Sequence, residues 1–248
     1  MLGHMSAARE ARGGVLVVGG GFAGAYVAKE LGHRGATIVS KENFMLYTPL
    51  LPEAASGTLE PRHCVVPLRE MCPHAELILG SVTAFDLEAK TAAVETDEGP
   101  QTVEWSELVL ALGAVPRTLP IPGLSEHALS FKSLADGINL RNHVLHQLEA
   151  ADAALDEQER AKRLTFVFVG AGYAGVEALA ELSDLVEDAL RYYPSLRSSP
   201  RRWVLVDAAP RILPDIPPPL GDYAAAELRK RGIEVHVETT LESVTADS

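Results

Sequence analysis

No apolar run in this 248-residue sequence approaches the roughly 20 residues that a helix needs to cross a bilayer. The start, MLGHMSAAREARGG, also lacks the apolar stretch of a secretory signal. Residues 1–13 read as a disordered lead-in, with Gly3-His4-Met5 resembling a cloning remnant. Basic residues are in deficit, with 22 Lys and Arg against 34 Asp and Glu and a net charge of −12. That balance argues against nucleic acid as a partner and against electrostatic hold on an anionic membrane. A solvated acidic surface accounts for it. Cysteine is scarce: Cys64 and Cys72 form no C-x-x-C pair, and neither follows a glycine turn at a helix start. Two reduced thiols in a cytoplasmic protein are the simplest reading, and a redox-active disulfide is not expected. No metal site is expected either.

What is present is a stretch that organises the rest. Gly14 to Ser40 reads GVLVVGGGFAGAYVAKELGHRGATIVS: an apolar strand, a glycine turn, a helical pattern and a second apolar run. Gly19, Gly21 and Gly24 fall in the G-x-G-x-x-G spacing. The first permits a tight turn, the second lets a pyrophosphate approach bare backbone, and the third lets helix pack closely on strand. The helix N-terminus then favours the phosphates. Leu164 to Glu177, LTFVFVGAGYAGVE, repeats the arrangement with Gly170, Gly172 and Gly175, and RWVLVD at 202–207 supplies its second strand. The motif is weak alone, but in this context, and twice, it predicts two dinucleotide sites. One copy could instead be a duplicated unit that binds nothing.

The expected fold is α/β, with two Rossmann-like units built on parallel sheets and a small antiparallel β-meander in the first. Leu77–Leu79, Ser81–Asp86, Thr91–Thr96 and Thr102–Trp105 are its short runs. Glu107 to Ala111 reads as a buried parallel strand. Pro116, Pro120, Pro122 and Gly123 mark a boundary, giving domains at 14–116 and 117–248. Residues 133–152 and 173–192 read as helices. KENFMLYTPLLPEAASGTL at 41–59 is dense in apolar residues and broken by Pro49 and Pro52. It is either a core-packing segment or the wall of a pocket for a flat ring.

The residue ending the second strand of such a unit meets the adenosine ribose. In the second unit it is Asp207, which favours NAD(H) over NADP(H). Arg211 nearby offers the opposite preference, but an anion at the hydroxyls opposes a 2′-phosphate directly. In the first unit the position is Ser40, followed by Lys41 and Glu42, so the acid is missing.

Over residues 14–240 the chain resembles the two-dinucleotide flavoprotein oxidoreductases and, within them, the type II NADH dehydrogenases. ENFMLYTPLLPEAASGTL resembles the flavin-contacting loop of that family, with Asn43, Phe44 and Pro49 at matching positions. ELVLALGAVPRTLPIPG resembles its Ala-Thr-Gly-type segment. HALSFKSLADGINLRNHVLHQLEAAD, GAGYAGVEALAEL and WVLVDAAPRILP carry the narrower likeness. The resemblance implies FAD contacts from Gly19, Gly21, Phe22, Ala23, Gly24, Ser40, Lys41, Val82, Ala111 and Gly113. It implies NADH contacts from Gly170, Gly172, Tyr173, Ala174, Gly175, Asp207 and Arg211. Glu177 and Pro49 become the candidate catalytic residues, Glu177 for proton or quinone handling. Read from position alone, Glu177 could merely complement the helix dipole.

The implied activity is hydride transfer from NADH to FAD and on to a quinone or similar acceptor. The family's C-terminal segments, one returning to FAD and one docking to a membrane, have no match here, so the second domain is expected to be incomplete. Peripheral contact with the cytoplasmic membrane face would come through that missing part, and a homodimer is compatible with the reading. Two rivals stand beside it: a non-catalytic nucleotide-binding module, and a flavin reductase that passes electrons to a ferredoxin-like protein.

Overall fold

A computed structural model describes residues 8–115 and 119–246. Residues 1–7 of the expected lead-in and the boundary residues 116–118 lie outside that range. In chain order the strands and helices begin Arg9–Glu10 (β1), Val15–Val18 (β2), Phe22–Glu30 (α1), Ala36–Ser40 (β3), Phe44–Leu46 (β4), Leu51–Ser56 (α2), Val65–Pro67 (β5) and Leu68–Met71 (α3). Ala75–Leu79 (β6), Ser81–Asp86 (β7), Thr91–Thr96 (β8), Gly99–Glu104 (β9) and Glu107–Leu110 (β10) follow. Then come Leu124–His127 (α4), Leu134–Ala153 (α5), Glu157–Arg163 (α6), Thr165–Val169 (β11), Tyr173–Ala189 (α7), Arg202–Val206 (β12), Pro218–Lys230 (α8) and Glu234–His236 (β13). The chain packs as two compact units, 1–47 with 62–116, and 48–61 with 117–248. The first is therefore not an unbroken 14–116: the segment holding α2 groups with the second.

In the first unit a parallel sheet runs in the order β10-β2-β3-β6. Strand alternation sends Val15 and Val17 to one face, where Ala25 and Ala28 of α1 and Leu68 of α3 cover them. Leu16 and Val18 go to the other face and pack on Ala92, Val94 and Val103. The sheet is thus sandwiched between helices and a β-layer, and each fully buried Val or Leu contributes about 1.5–3 kcal/mol. The β-layer is the antiparallel set β7-β8-β9 with β1 added parallel to β9.

Three sequence expectations are corrected here. Leu77–Leu79 belongs to β6, paired in parallel with β3, and not to the meander. Residues 8–13 are ordered, with Arg9–Glu10 paired to Val103–Glu104 and Ala11 buried. β10 is an edge strand rather than a buried one, and Leu110 is 58% exposed.

The second unit has a three-stranded parallel sheet, β11-β12-β13. Its core joins Phe166, Trp203 and Leu205 to Leu148 of α5 and to Leu179, Leu182 and Val186 of α7. Phe166 and Trp203 stack at 4.5 Å. α5 starts in a full capping box: Ser133 Oγ accepts from the Asp136 N–H, and Asp136 accepts from the Ser133 N–H. α2 packs against both α5 and α7.

Candidate functional site

Both glycine turns have the same backbone. Gly19 (φ +109°) and Gly170 (φ +105°) sit where side chains are strained. Each donates its N–H to the strand that follows, Gly19 to Val39 O and Gly170 to Val206 O, both at 2.8 Å. A Cβ on Gly24 would lie 1.8 Å from Gly19 O, and one on Gly175 would lie 1.9 Å from Gly170 O. Each helix therefore starts in contact with its own turn. Gly21 and Gly172 are the N-cap residues of α1 and α7, and a Cβ on either would meet nothing within 4 Å. Neither helix start carries a side-chain cap or an acid in its first turn. Bare backbone, open space and a positive helix end fit a pyrophosphate at both places.

The strand-ending residues differ. Asp207 accepts from the Ala171 N–H at 2.5 Å and the Ala209 N–H at 2.7 Å, so its carboxylate bolts the glycine turn to the bend after β12. Ser40 is buried, and its Oγ accepts from the Glu42 N–H at 3.3 Å. That hydroxyl sits over the first turn: a Cβ on Gly20 would fall 2.6 Å from it. Arg211 donates to Ile216 O at 2.9 Å and Pro214 O at 2.5 Å, which commits part of its guanidinium to its own bend. Lys41 is exposed.

Around the first turn, Ala111 donates to Val18 O at 2.8 Å, and its carbonyl would meet a Gly19 Cβ at 2.2 Å. Gly113 (φ +67°) follows in exposed chain. Phe22 and Ala23 open α1, and the half-exposed Phe22 ring sits 5.5 Å from Tyr47. Val82 lies in β7 opposite Val94, partly buried against the core of the β-layer.

The second unit also holds a pocket of about 360 Å³. Tyr173, Ala174 and Glu177 of α7 form one side; Thr48, Pro49, Leu51 and Pro52 form another; Phe131 and Lys132 close it. Of the two readings of segment 41–59, residues 48–52 thus line a pocket, while Leu51 and Pro52 are also buried. Glu177 is exposed at this pocket and stands beyond the first turn of α7, which removes the dipole-complement reading. Its pKa is raised above the usual carboxylate range, first by desolvation and then by the charge of Glu53.

Sequence reasoning missed Phe131, Lys132 and Glu53. Phe131 and Lys132 could have been suspected, because they immediately precede the Ser133 capping box. Glu53 carried no signal, since its neighbours come from α5 and α7.

The Cys64 and Cys72 thiols are buried. The Cys72 thiol donates to Ala25 O at 3.2 Å, and burial pushes its pKa up despite Lys29. Inert buried thiols of this kind are poor redox relays.

A family model described as pyridine nucleotide-disulphide oxidoreductase matches residues 13–248. A type II NADH:quinone oxidoreductase of Mycobacterium tuberculosis is 31% identical over 236 residues, covering 93% of this chain and 51% of that protein. An external alternative NAD(P)H-ubiquinone oxidoreductase of Arabidopsis thaliana is 33% identical over 246 residues, covering 94% of this chain and 42% of its own length. Among solved structures, NDH2 of Plasmodium falciparum in complex with NADH superposes with a TM-score of 0.88 at 22% identity, over 96% of this chain and 49% of that one. That likeness concerns the fold. The chain spans about half the length, or less, of the curated relatives it matches.

Proposed function

This chain belongs to the pyridine nucleotide-disulphide oxidoreductase family, and from that premise we propose that it serves NADH oxidation through FAD, with a quinone as acceptor. The observation that carries the reading is the repetition of one open glycine turn at two helix starts, only the second ending in an acid. The first unit, 1–47 with 62–116, would hold FAD and the second, 48–61 with 117–248, NADH. When bound, the cofactors would supply the redox chemistry, hydride transfer from a nicotinamide and electron transfer through a flavin.

The residues supply binding, orientation and proton handling. The N–H groups behind Gly21 and Gly172 would take the two pyrophosphates, flanked by Phe22 and Ala23 in one unit and Tyr173 and Ala174 in the other. Asp207 would accept from the ribose hydroxyls with the lone pairs its backbone bonds leave over, and it would repel a 2′-phosphate. Ser40 would do the same for FAD without charge assistance, and Lys41, Val82, Ala111 and Gly113 would complete that side. Arg211, engaged with its own bend, is assigned to shaping the bend. Pro49 and Tyr173 would hold a flat ring against the pocket wall, and Glu177 would hold or release a proton at its carboxyl. A quinone acceptor, as named for the relatives, implies work at a membrane face; among the described residues no helix is long and apolar enough to cross one.

The test is the visible spectrum of the purified chain loaded with FAD, before and after NADH is added without oxygen. Bleaching, followed by recovery on adding a soluble quinone, is expected. A colourless protein that still binds NADH would replace this reading with that of a nucleotide-binding module.

A further inference from the structure

The pocket of the second unit begins where its glycine turn ends. Tyr173 and Ala174, the first residues of α7, line it, and Glu177 stands one turn further along the same helix. A ring carried beyond a pyrophosphate at Gly172 lies within reach of it.

Another side of the pocket is built by the start of α5. Asp136 accepts from Ser130 Oγ at 2.8 Å, from the Lys132 N–H at 3.0 Å and from the Ser133 N–H at 2.8 Å, so one carboxylate fixes the backbone of 130–133. Gly137 lets α2 come close: a Cβ there would stand 3.0 Å from Leu51 Cδ1 and 3.7 Å from the Phe131 ring. Phe131 and Lys132 are thereby held at the pocket beside Leu51.

The lining has a definite chemistry. Pro49, Phe131 and Tyr173 offer flat faces to a ring. Its charged residues are one of each sign, Lys132 and Glu177, both exposed. Among the described residues neither charged group makes an ion pair or a side-chain hydrogen bond. An ammonium only donates, and a carboxyl oxygen accepts in either protonation state. The group that answers both carries an acceptor and a donor on one carbon: a primary carboxamide on a flat ring. A quinone presents acceptors alone and answers Lys132 but not a carboxylate.

We propose that Lys132 is a specificity-determining residue for NADH: its ammonium donates to the carbonyl oxygen of the nicotinamide carboxamide, while a Glu177 oxygen accepts from the amide nitrogen. The proposal rests on the reading that the second unit holds NADH, and it names the residue that selects the nicotinamide end. The capping network around Asp136 then has a second role, since it fixes the backbone from which this ammonium reaches the ring.

The test compares two ligands on the full chain by calorimetry. Tetrahydro-NAD has a neutral carboxamide ring that transfers no hydride, and ADP-ribose lacks the ring. Wild type should bind tetrahydro-NAD more tightly. Lys132→Met should weaken tetrahydro-NAD about tenfold, as loss of a charged hydrogen bond does, and leave ADP-ribose unchanged. Lys132→Arg, which keeps a donor, should retain most of the affinity. Retained ADP-ribose binding also shows that each variant is folded. Equal weakening of both ligands, no change in either, or equal affinity of wild type for both overturns the proposal. So does a raised KM for a soluble quinone with tetrahydro-NAD binding intact, which would give the pocket to the acceptor. Flavin bleaching by NADH is followed separately. If NADH does not bleach the flavin while Lys132→Met still weakens tetrahydro-NAD selectively, the oxidation reading fails and the role of Lys132 stands.

Discussion

The two glycine turns share one backbone geometry, and their differences are concentrated in three places. The residue after the first glycine is Gly20 in one unit and Ala171 in the other. The strand-ending residue is Ser40 or Asp207. The aromatic residue opening the helix leans on Tyr47 in the first unit, whereas Tyr173 opens onto a pocket in the second. These differences are linked. Ser40 Oγ occupies the space a Cβ at position 20 would need, while the Asp207 carboxylate reaches the N–H of a residue that does carry a Cβ. Both strand ends accept an N–H from two residues onward, Glu42 or Ala209; only Asp207 also ties down the turn. On the proposed reading, a shared backbone would fix where the phosphates go, and the side chains around it would decide which nucleotide is held and how firmly.

The strongest way to break the comparison is to fill the shared contact. Gly24→Ala pushes a Cβ into Gly19 O and should cost on the order of 3 kcal/mol, with loss of flavin. Gly175→Ala should do the same to NADH binding and spare the flavin; flavin absorbance and NADH titration read the two separately.

Next in size is an exchange of strand ends. Asp207→Ser should raise KM for NADH about tenfold, the equivalent of roughly 1.4 kcal/mol, because two bonds to a charged acceptor are weakened. Ser40→Asp should slow flavin release a few-fold, measured by dialysis.

A smaller effect separates two carboxyls of the second unit by pH. Glu177, with its pKa raised, favours the fold below the ordinary carboxylate pKa, and that contribution is lost as pH rises through the raised value. Glu234, held down to about 2 by Arg202 and then His236, acts oppositely: its contribution is present above the ordinary value and lost as pH falls toward 2. Melting curves of Glu177→Gln and Glu234→Gln against pH should deviate from wild type on opposite sides. Smallest of all, Cys72→Ser should leave the rate of NADH oxidation unchanged and lower the melting temperature slightly, its thiol being buried against Ala25 O.

The repeated units were legible because their signals are local. A strand, three glycines and a helix occupy adjacent residues, and the Ser133 box declares the start of α5 within four. The pocket was legible only in halves. Tyr173 and Glu177 follow the glycine motif, but their opposite wall comes from residues 48–52, joined to α7 by a bond between Ser56 and Glu181 across 125 positions. No periodicity records such a pairing. β6 was misplaced for a similar reason: an apolar run shows that it is a strand, not which sheet receives it. β10 was read as buried because its composition is apolar, although its place at the edge of the sheet leaves it half exposed.

The double bond pattern of Asp207 bears on how such a protein could change coenzyme over evolutionary time. A substitution that removes the carboxylate also takes the acceptor from the Ala171 N–H and slackens the turn that, on the proposed reading, would grip the pyrophosphate. Preference and grip would thus be carried by one side chain. A lineage leaving NADH would pass through a form that holds either coenzyme poorly, unless a second change first gave that N–H another acceptor.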